Sequence, residues 1–402
     1  MRPRADRNAV AGGPNGMRSA LSCLRRTTPS LHNLSYPDDA WQHFDALHAA
    51  LAPWLQSAPS FQRHGAAGYS GPWIENVWIS RFSALANAAR KAGRPLSHVF
   101  GPYIPILVPF TDQWVHGGPH QVGLKRYRYP DGLVPALLGA LRPNAAYITV
   151  SQNDEGLSGR NELPMAMIPN VLVLSAGGYG HVPVPLLKQS EWPLRGPPLR
   201  RRRYHVSYVG SLETSSDGAR ARMSDVVAAA AAQDGFSYKV SRGLSSRWSA
   251  LLPPLLERLV SRVVGADSWR GVMEQSRLSL CPRGFGRSSY HLAETIQMGR
   301  VPIHVYTDTP WVPYETLFWR SVGYVSTIRE LPGLLRRLQR NSSLADIARR
   351  ERAIGRLRAS HFTMEGVMRQ VALFMVAPKK ADLVCRRLPG GPKGTDVYYN
   401  LG

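Results

Sequence analysis

Acidic residues are scarce in this chain. Its 402 residues hold 27 aspartates and glutamates against 50 lysines and arginines, a net charge of +23. Such a balance calls for an anionic partner or an anionic surface. The basic residues are scattered, with one dense run at 200–203, whereas a nucleic-acid binder interleaves basic stripes with aromatics. Nucleic acid is therefore not the expected partner. Cysteine is rarer still. Cys23, Cys281 and Cys385 lie far apart, match no zinc spacing and make no disulfide framework, so the redox compartment stays open. No stretch reaches the roughly 18 to 20 apolar residues a membrane span needs. Repeats and heptads are missing too. His116 and His120 are separated by Gly117, Gly118 and Pro119, which reads as a loop and not as a metal-binding helix face. Asn33-Leu-Ser35 and Asn341-Ser-Ser343 fit the glycosylation triplet, a pattern that arises often by chance.

What is there is an alternation of strands and helices. Residues 1–35 read as a disordered or targeting segment, nearly free of acids. Trp41, Phe44, Leu47 and Leu51 recur at helical spacing within 38–55. A second helix is expected over 72–92, then a strand at 104–110, a helix at 133–141 and strands at 146–150 and 171–174. Residues 186–203 are proline- and arginine-rich and nonperiodic, an interdomain linker. A second series follows. It has strands at 204–209, 236–240, 278–281, 301–306 and 322–325, and helices at 219–232, 255–264, 269–274, 330–338, 344–357 and 364–376. The tail 378–402 is polar and reads as flexible. Alternation of this kind gives parallel sheets flanked by helices, here in two domains, 36–185 and 204–377.

The most informative segment is LSLCPRGFGRSSYHLAETIQMGRVPIHVY, residues 278–306. An apolar strand runs into a turn carrying Arg283, Gly284, Gly286 and Arg287. Ser288 or Ser289 can cap the helix that follows, and Gly299 stands where a left-handed cap belongs. Strand, Gly-rich turn, helix and strand make a βαβ unit, whose helix start gathers backbone N–H groups around an anion. Tyr290 and Glu294 share one helix face, while Leu292, Ala293 and Ile296 fall on the face that would pack on the sheet. Arginine suits a diphosphate because its fork donates in pairs, and a carboxylate at Glu294 suits a sugar diol.

CPRG, SSYHLAE, GRVPIHVYTD and PWVPYETLFW together resemble the exostosin family, glycosyltransferase family 47. Arg283, Gly284, Ser289, Leu292, Glu294, Gly299, Pro302, Asp308, Pro313 and Trp319 stand where the family pattern has its usual residues. His291 replaces a frequent arginine, and Arg300 a frequent cysteine. The resemblance covers 276–319 closely, 204–374 loosely and the N-terminal half faintly. It implies a GT-B enzyme of two Rossmann-like domains whose parallel sheets face across a cleft. It also implies a Golgi protein that transfers a sugar from a nucleotide-sugar, a UDP-sugar by expectation, to a glycan or glycoprotein acceptor, with inversion and without a metal.

On that reading Arg283 and the backbone of Gly284, Gly286, Ser288 and Ser289 hold the diphosphate, beside Tyr290, and Glu294 holds the ribose. Gly210 and Ser211, at the end of the first strand of the second half, would let the ligand approach, with Arg220 or Arg222 meeting a phosphate. Asp308 is a loop residue. Trp311 and Tyr314, in a segment stiffened by Pro310 and Pro313, offer flat faces to a sugar. The general base should come from the N-terminal half, where Asp154 and Glu155 follow one strand and His181 follows another. Removing the charge at Arg283 or Glu294 is expected to stop transfer and spare the fold. The alternatives are a noncatalytic nucleotide-sugar or glycan binder, and a basic nucleic-acid-binding protein.

Overall fold

The computed structural model describes residues 21, 23–24, 33–56, 73–116, 127–158, 162–188, 190–242, 268–340 and 342–386. The expected helix at 255–264 and the residue His120 lie outside these.

The N-terminal half opens with α1 (Ala40–Ala50), whose apolar spacing buries Ala40 and Leu47 while the Arg90 guanidinium sits 4.3 Å over the Trp41 ring. Helix α2 (Ile74–Lys91) starts where Asn76 Oδ1 accepts from the Trp73 N–H, and it buries Trp78, Phe82, Ala86 and Ala89. Then come α3 (Ser97–Phe100), β1 (Ile104–Pro105), α4 (Phe110–His116), α5 (Leu133–Ala140), β2 (Tyr147–Ser151), β3 (Val171–Ser175) and β4 (Val182–Pro183). The four strands form a parallel sheet in the order β1-β2-β3-β4. Every residue of β2 and β3 is buried, as a strand covered on both faces requires. The strand expected at 104–110 is much shorter. Pro105 and Pro109 have no N–H to give a ladder, so the pairing ends early and Phe110 begins a helix.

The second half runs β5 (Tyr204–Val209), α6 (Ala219–Asp234), β6 (Tyr238–Ser241), α7 (Trp269–Glu274), β7 (Ser276–Pro282), α8 (Tyr290–Gln297), β8 (Val301–Tyr306), β9 (Tyr324–Thr327), α9 (Leu331–Gln339), α10 (Ser343–His361) and α11 (Met364–Val376). Its sheet is also parallel, in the order β6-β5-β7-β8-β9. Leu292 and Ile296 of α8 face the sheet and are buried, each worth roughly 2 kcal/mol of apolar burial. The chain leaves β5 in one direction to make β6 and returns on β5's other side as β7. The connections therefore diverge between β5 and β7, the topological switch point where open parallel sheets bind ligands.

Two features depart from expectation. Helix α11, placed by sequence in the second domain, packs on α10 of that domain and also on α3 and α2 of the first, and its Glu365 pairs with Arg81. The chain beyond it, expected to be flexible from 378, is packed as far as 386. Pro378–Lys380 form a helical turn, Leu383 is buried, and the Arg386 N–H donates to the His181 carbonyl at 2.9 Å. Cys385 is joined there to Cys23, a disulfide spanning 362 residues, so the cysteines do form a covalent tie. Cys281 alone remains a buried free thiol. Sequence distance hid the pair, because only the return of α11 brings the two ends together.

Candidate functional site

The loop after β7, residues 282–289, lies at the switch point and touches both neighbours. On one side the loop after β5 reaches it. Ser216 Oγ donates to the Phe285 carbonyl at 3.2 Å, and Arg220 Nε donates to the Arg283 carbonyl at 3.1 Å. On the other side it meets the N-terminal half. The Ser288 N–H donates to the Gly177 carbonyl at 3.2 Å. This approach demands glycine at two positions. A Cβ on Gly286 would sit 2.2 Å from the Gly177 oxygen, and Gly178, at φ 138°, would carry a Cβ 2.5 Å from the Arg287 nitrogen.

Arg283 and Arg287 turn inward. Arg283, 5% exposed, donates to the carbonyls of Gly286 and Phe285, to Thr307 Oγ1 and to Asp308 Oδ1, all within 3.2 Å. Arg287, wholly buried, donates to Asp308 Oδ2 at 2.7 Å and lies 4.3 Å over the Tyr179 ring. Burial alone would raise the Asp308 carboxyl, but the Arg287 charge and hydrogen bond outweigh it and hold the group below its usual range. Asp308 is thus the buckle between two arginines, more than a plain loop residue. The two guanidiniums are engaged in bracing the loop.

The groups that face the switch point are others. Ser289 is the N-cap of α8. Its hydroxyl is buried and has no hydrogen-bond partner among the described residues, at a helix start, where backbone N–H groups converge. Arg220 is half-buried, bound through Nη1 to the Ser211 carbonyl at 3.1 Å and to Thr214 Oγ1 at 2.5 Å. Of the two basic residues considered after β5, Arg220 is the one at the site; Arg222 is exposed and 3.7 Å from Asp217. Gly284 is half-buried and bonded to the Ser288 carbonyl, with Arg220 close to where its Cβ would be. The Tyr208 hydroxyl packs under Gly210 and donates to Ser211.

Glu294 is 7% exposed, and its Oε1 is 2.5 Å from Lys188 Nζ. Burial would lower the Lys188 ammonium, yet the Glu294 charge more than offsets it and the net shift is upward. The Lys188 ammonium also lies 5.7 Å over the Tyr290 ring, so Tyr290 and Glu294 do share a face. His291, held at Ser279 Oγ and 3.9 Å from Glu294, is pushed down to about 4 by burial and is neutral.

The candidate bases separate. Asp154 reaches the seam, where it accepts from the Gly286 N–H. Burial pushes its carboxyl up to about 6, the hydrogen bond offsetting part of that rise. Glu155 lies beside it, its N–H bonded to Asn153 Oδ1. His181 is no base. Its Nδ1 accepts from the Val173 N–H at 3.0 Å inside the sheet, and burial pushes it down to about 4. Trp311 and Tyr314, expected to offer flat faces, are buried. The Trp311 indole donates to the Ser175 carbonyl and the Tyr314 hydroxyl to the His361 carbonyl.

Sequence reasoning missed Lys188, Gln152 and Glu75. Glu75, fully buried and pushed up to about 7 by burial, accepts from the N–H groups of Thr111 and Gln152. The Gln152 side chain then donates to the Tyr290 hydroxyl at 2.9 Å, a chain of bonds from α2 to α8 across the halves. Only Gln152 left a signal, two residues before Asp154 at a strand end.

No family model matches the chain, and no curated protein matches its sequence. Among solved structures it is similar to TarM, at 8% identity and a TM-score of 0.33, over 64% of this chain and 48% of that one. It is also similar to the GtfA/B complex, at 13% identity and a TM-score of 0.30, over 56% and 45%. A Staphylococcus aureus TarM mutant in complex with fondaparinux, α-GlcNAc-glycerol and UDP matches at 10% identity and 0.32, over 63% and 48%. The chain thus spans less than half the length of these structures.

Proposed function

We propose that the chain is an inverting glycosyltransferase of the GT-B kind, related to the exostosins, that moves a sugar from a UDP-sugar to a glycan or glycoprotein. The observation that carries this reading is the unpartnered, buried Ser289 hydroxyl at the N-terminus of α8, set at the switch point of a parallel sheet. A helix start with a spare hydroxyl and a neighbouring arginine is built for an anion. In this scheme Ser289, the first N–H groups of α8 and Arg220 take the diphosphate, while Arg283, Asp308 and Arg287 keep the loop in shape. Glu294, fixed by Lys188, takes the ribose diol. Asp154 accepts the proton of the acceptor hydroxyl as its oxygen bonds to the anomeric carbon. The bond from that carbon to the diphosphate breaks, and UDP leaves with its charge met by Arg220 and the helix start. A carboxyl near 6 is ionised at neutral pH and still basic enough to help. The Cys23–Cys385 bond suits an oxidising compartment such as the secretory route to the Golgi.

The test incubates the protein with a panel of UDP-sugars, with and without glycan acceptors, and follows UDP release and glycoside formation. Acceptor-stimulated release with a new glycoside is the expected result. Binding of UDP-sugars without release in any pairing would favour the noncatalytic reading, and no UDP-sugar binding at all would end the proposal.

A further inference from the structure

The candidate site accounts for little of the charge surplus of +23, since Asp308 ties up its two loop arginines and Arg220 is the cation left to a ligand there. The surplus gathers elsewhere. Helix α10 is 19 residues long, about 28 Å. Its outward stripe runs Ala345, Arg349, Arg352, Arg356, Ala359, spaced by fours and threes, and all are exposed. Arg352 and Arg356 pair with no carboxylate among the described residues. Beside them the turn Leu199–Arg201 packs on α10, fastened by Arg202, which donates to Glu351 at 2.5 Å. That turn presents Arg200 and Arg201, both exposed and likewise without an acidic partner among the described residues.

An exposed tryptophan stands at each end of this stripe. Trp319, 48% exposed, lies at the first turns of α10, where its carbonyl accepts from Arg350 and the next carbonyl accepts from Arg349. Trp192, 79% exposed, lies at the far end and lines a groove with Ala359, the last residue of the stripe, and with Thr363, just past the end of α10. Two indoles held in water cost free energy unless something covers them. The stripe's guanidiniums, Arg349 to Arg356, cover about 11 Å of the helix axis, and with Arg200 and Arg201 beside them and an exposed indole toward either end they suit a charged plane. Anionic headgroups meet the arginines, and the interfacial zone of a bilayer is where indoles collect.

We propose that the α10 stripe, with Arg200 and Arg201, is a peripheral docking surface for an anionic phospholipid bilayer. It stands independently of the glycosyl-transfer reading. No described helix is long and apolar enough to cross a membrane, and this surface supplies attachment without one.

The experiment is sedimentation of the full chain with vesicles of pure phosphatidylcholine and with vesicles that also contain phosphatidylserine. The protein should bind the second kind, bind the first far less, and be released by molar salt. Each arginine near such a surface strengthens partition about fivefold. A variant carrying Arg200→Gln, Arg201→Gln, Arg352→Gln and Arg356→Gln should lose on the order of several hundredfold. Trp192→Ala with Trp319→Ala should weaken binding by about tenfold, and both variants should keep the wild-type unfolding temperature. Equal binding to neutral vesicles, or an unweakened quadruple variant, would overturn the proposal. So would single-stranded RNA binding the stripe more tightly than the anionic vesicles do.

Discussion

Replacing Arg283 by alanine separates two physical roles for the same side chain. If the guanidinium waits for a phosphate, truncation costs ligand affinity and leaves stability alone. The geometry says otherwise. The side chain is 6% exposed and carries four hydrogen bonds within its own loop and to Thr307 and Asp308. Truncation strips donors from the buried Gly286 carbonyl and one side of Asp308. Leaving a buried polar group unpaired costs about 1–3 kcal/mol, and breaking a buried ion pair about 3–5. Asp308 is one-third exposed and keeps Arg287, so solvent discounts the charge term. We expect a loss of about 3 kcal/mol, read as a lowered urea midpoint. Arg283→Lys should recover little of it, because an ammonium cannot reproduce the fork. An unchanged midpoint in Arg283→Ala, with UDP binding abolished, would refute the structural role and restore the phosphate-binding one.

Ser289→Ala should cost about tenfold in UDP affinity, measured by calorimetry, with no loss of stability, since the hydroxyl satisfies nothing in the free protein. Asp154 is raised to about 6 by burial, so the transfer rate should fall as pH drops through 6 and the base takes up its proton. The same shift works against the fold in the other direction. The folded state holds this proton more tightly than the unfolded one, so stability declines as pH rises from about 4 to 6, and Asp154→Asn should flatten that slope in a denaturation series. Reducing the Cys23–Cys385 bond should lower stability by about 2–5 kcal/mol, seen as a lower melting temperature in dithiothreitol that Cys23→Ser reproduces without reductant.

The parallel architecture was legible because periodicity is local. β7, α8 and β8 each announce themselves within a few residues, through an apolar run, a serine cap and a β-branched run. The switch point followed only in outline, since strand order is a tertiary property. Side-chain direction was the least legible. Arg283 and Arg287 look like ligand groups in the sequence, but Asp308, some twenty residues on, turns both inward. Glu294 was singled out, yet its partner Lys188 sits in a stretch read as linker, with no pattern to mark it. His181 follows a strand as a base should, but its ring is folded back into the sheet to accept from Val173. Cys23 and Cys385 were set apart by the very distance that the return of α11 removes.

A crystal structure of the protein with UDP asks the question most simply. The diphosphate oxygens should lie within hydrogen-bond distance of the Ser289 hydroxyl and the first backbone N–H groups of α8, with the Arg220 guanidinium alongside. A nucleotide bound anywhere else on the molecule, with that helix start untouched, would contradict the assignment.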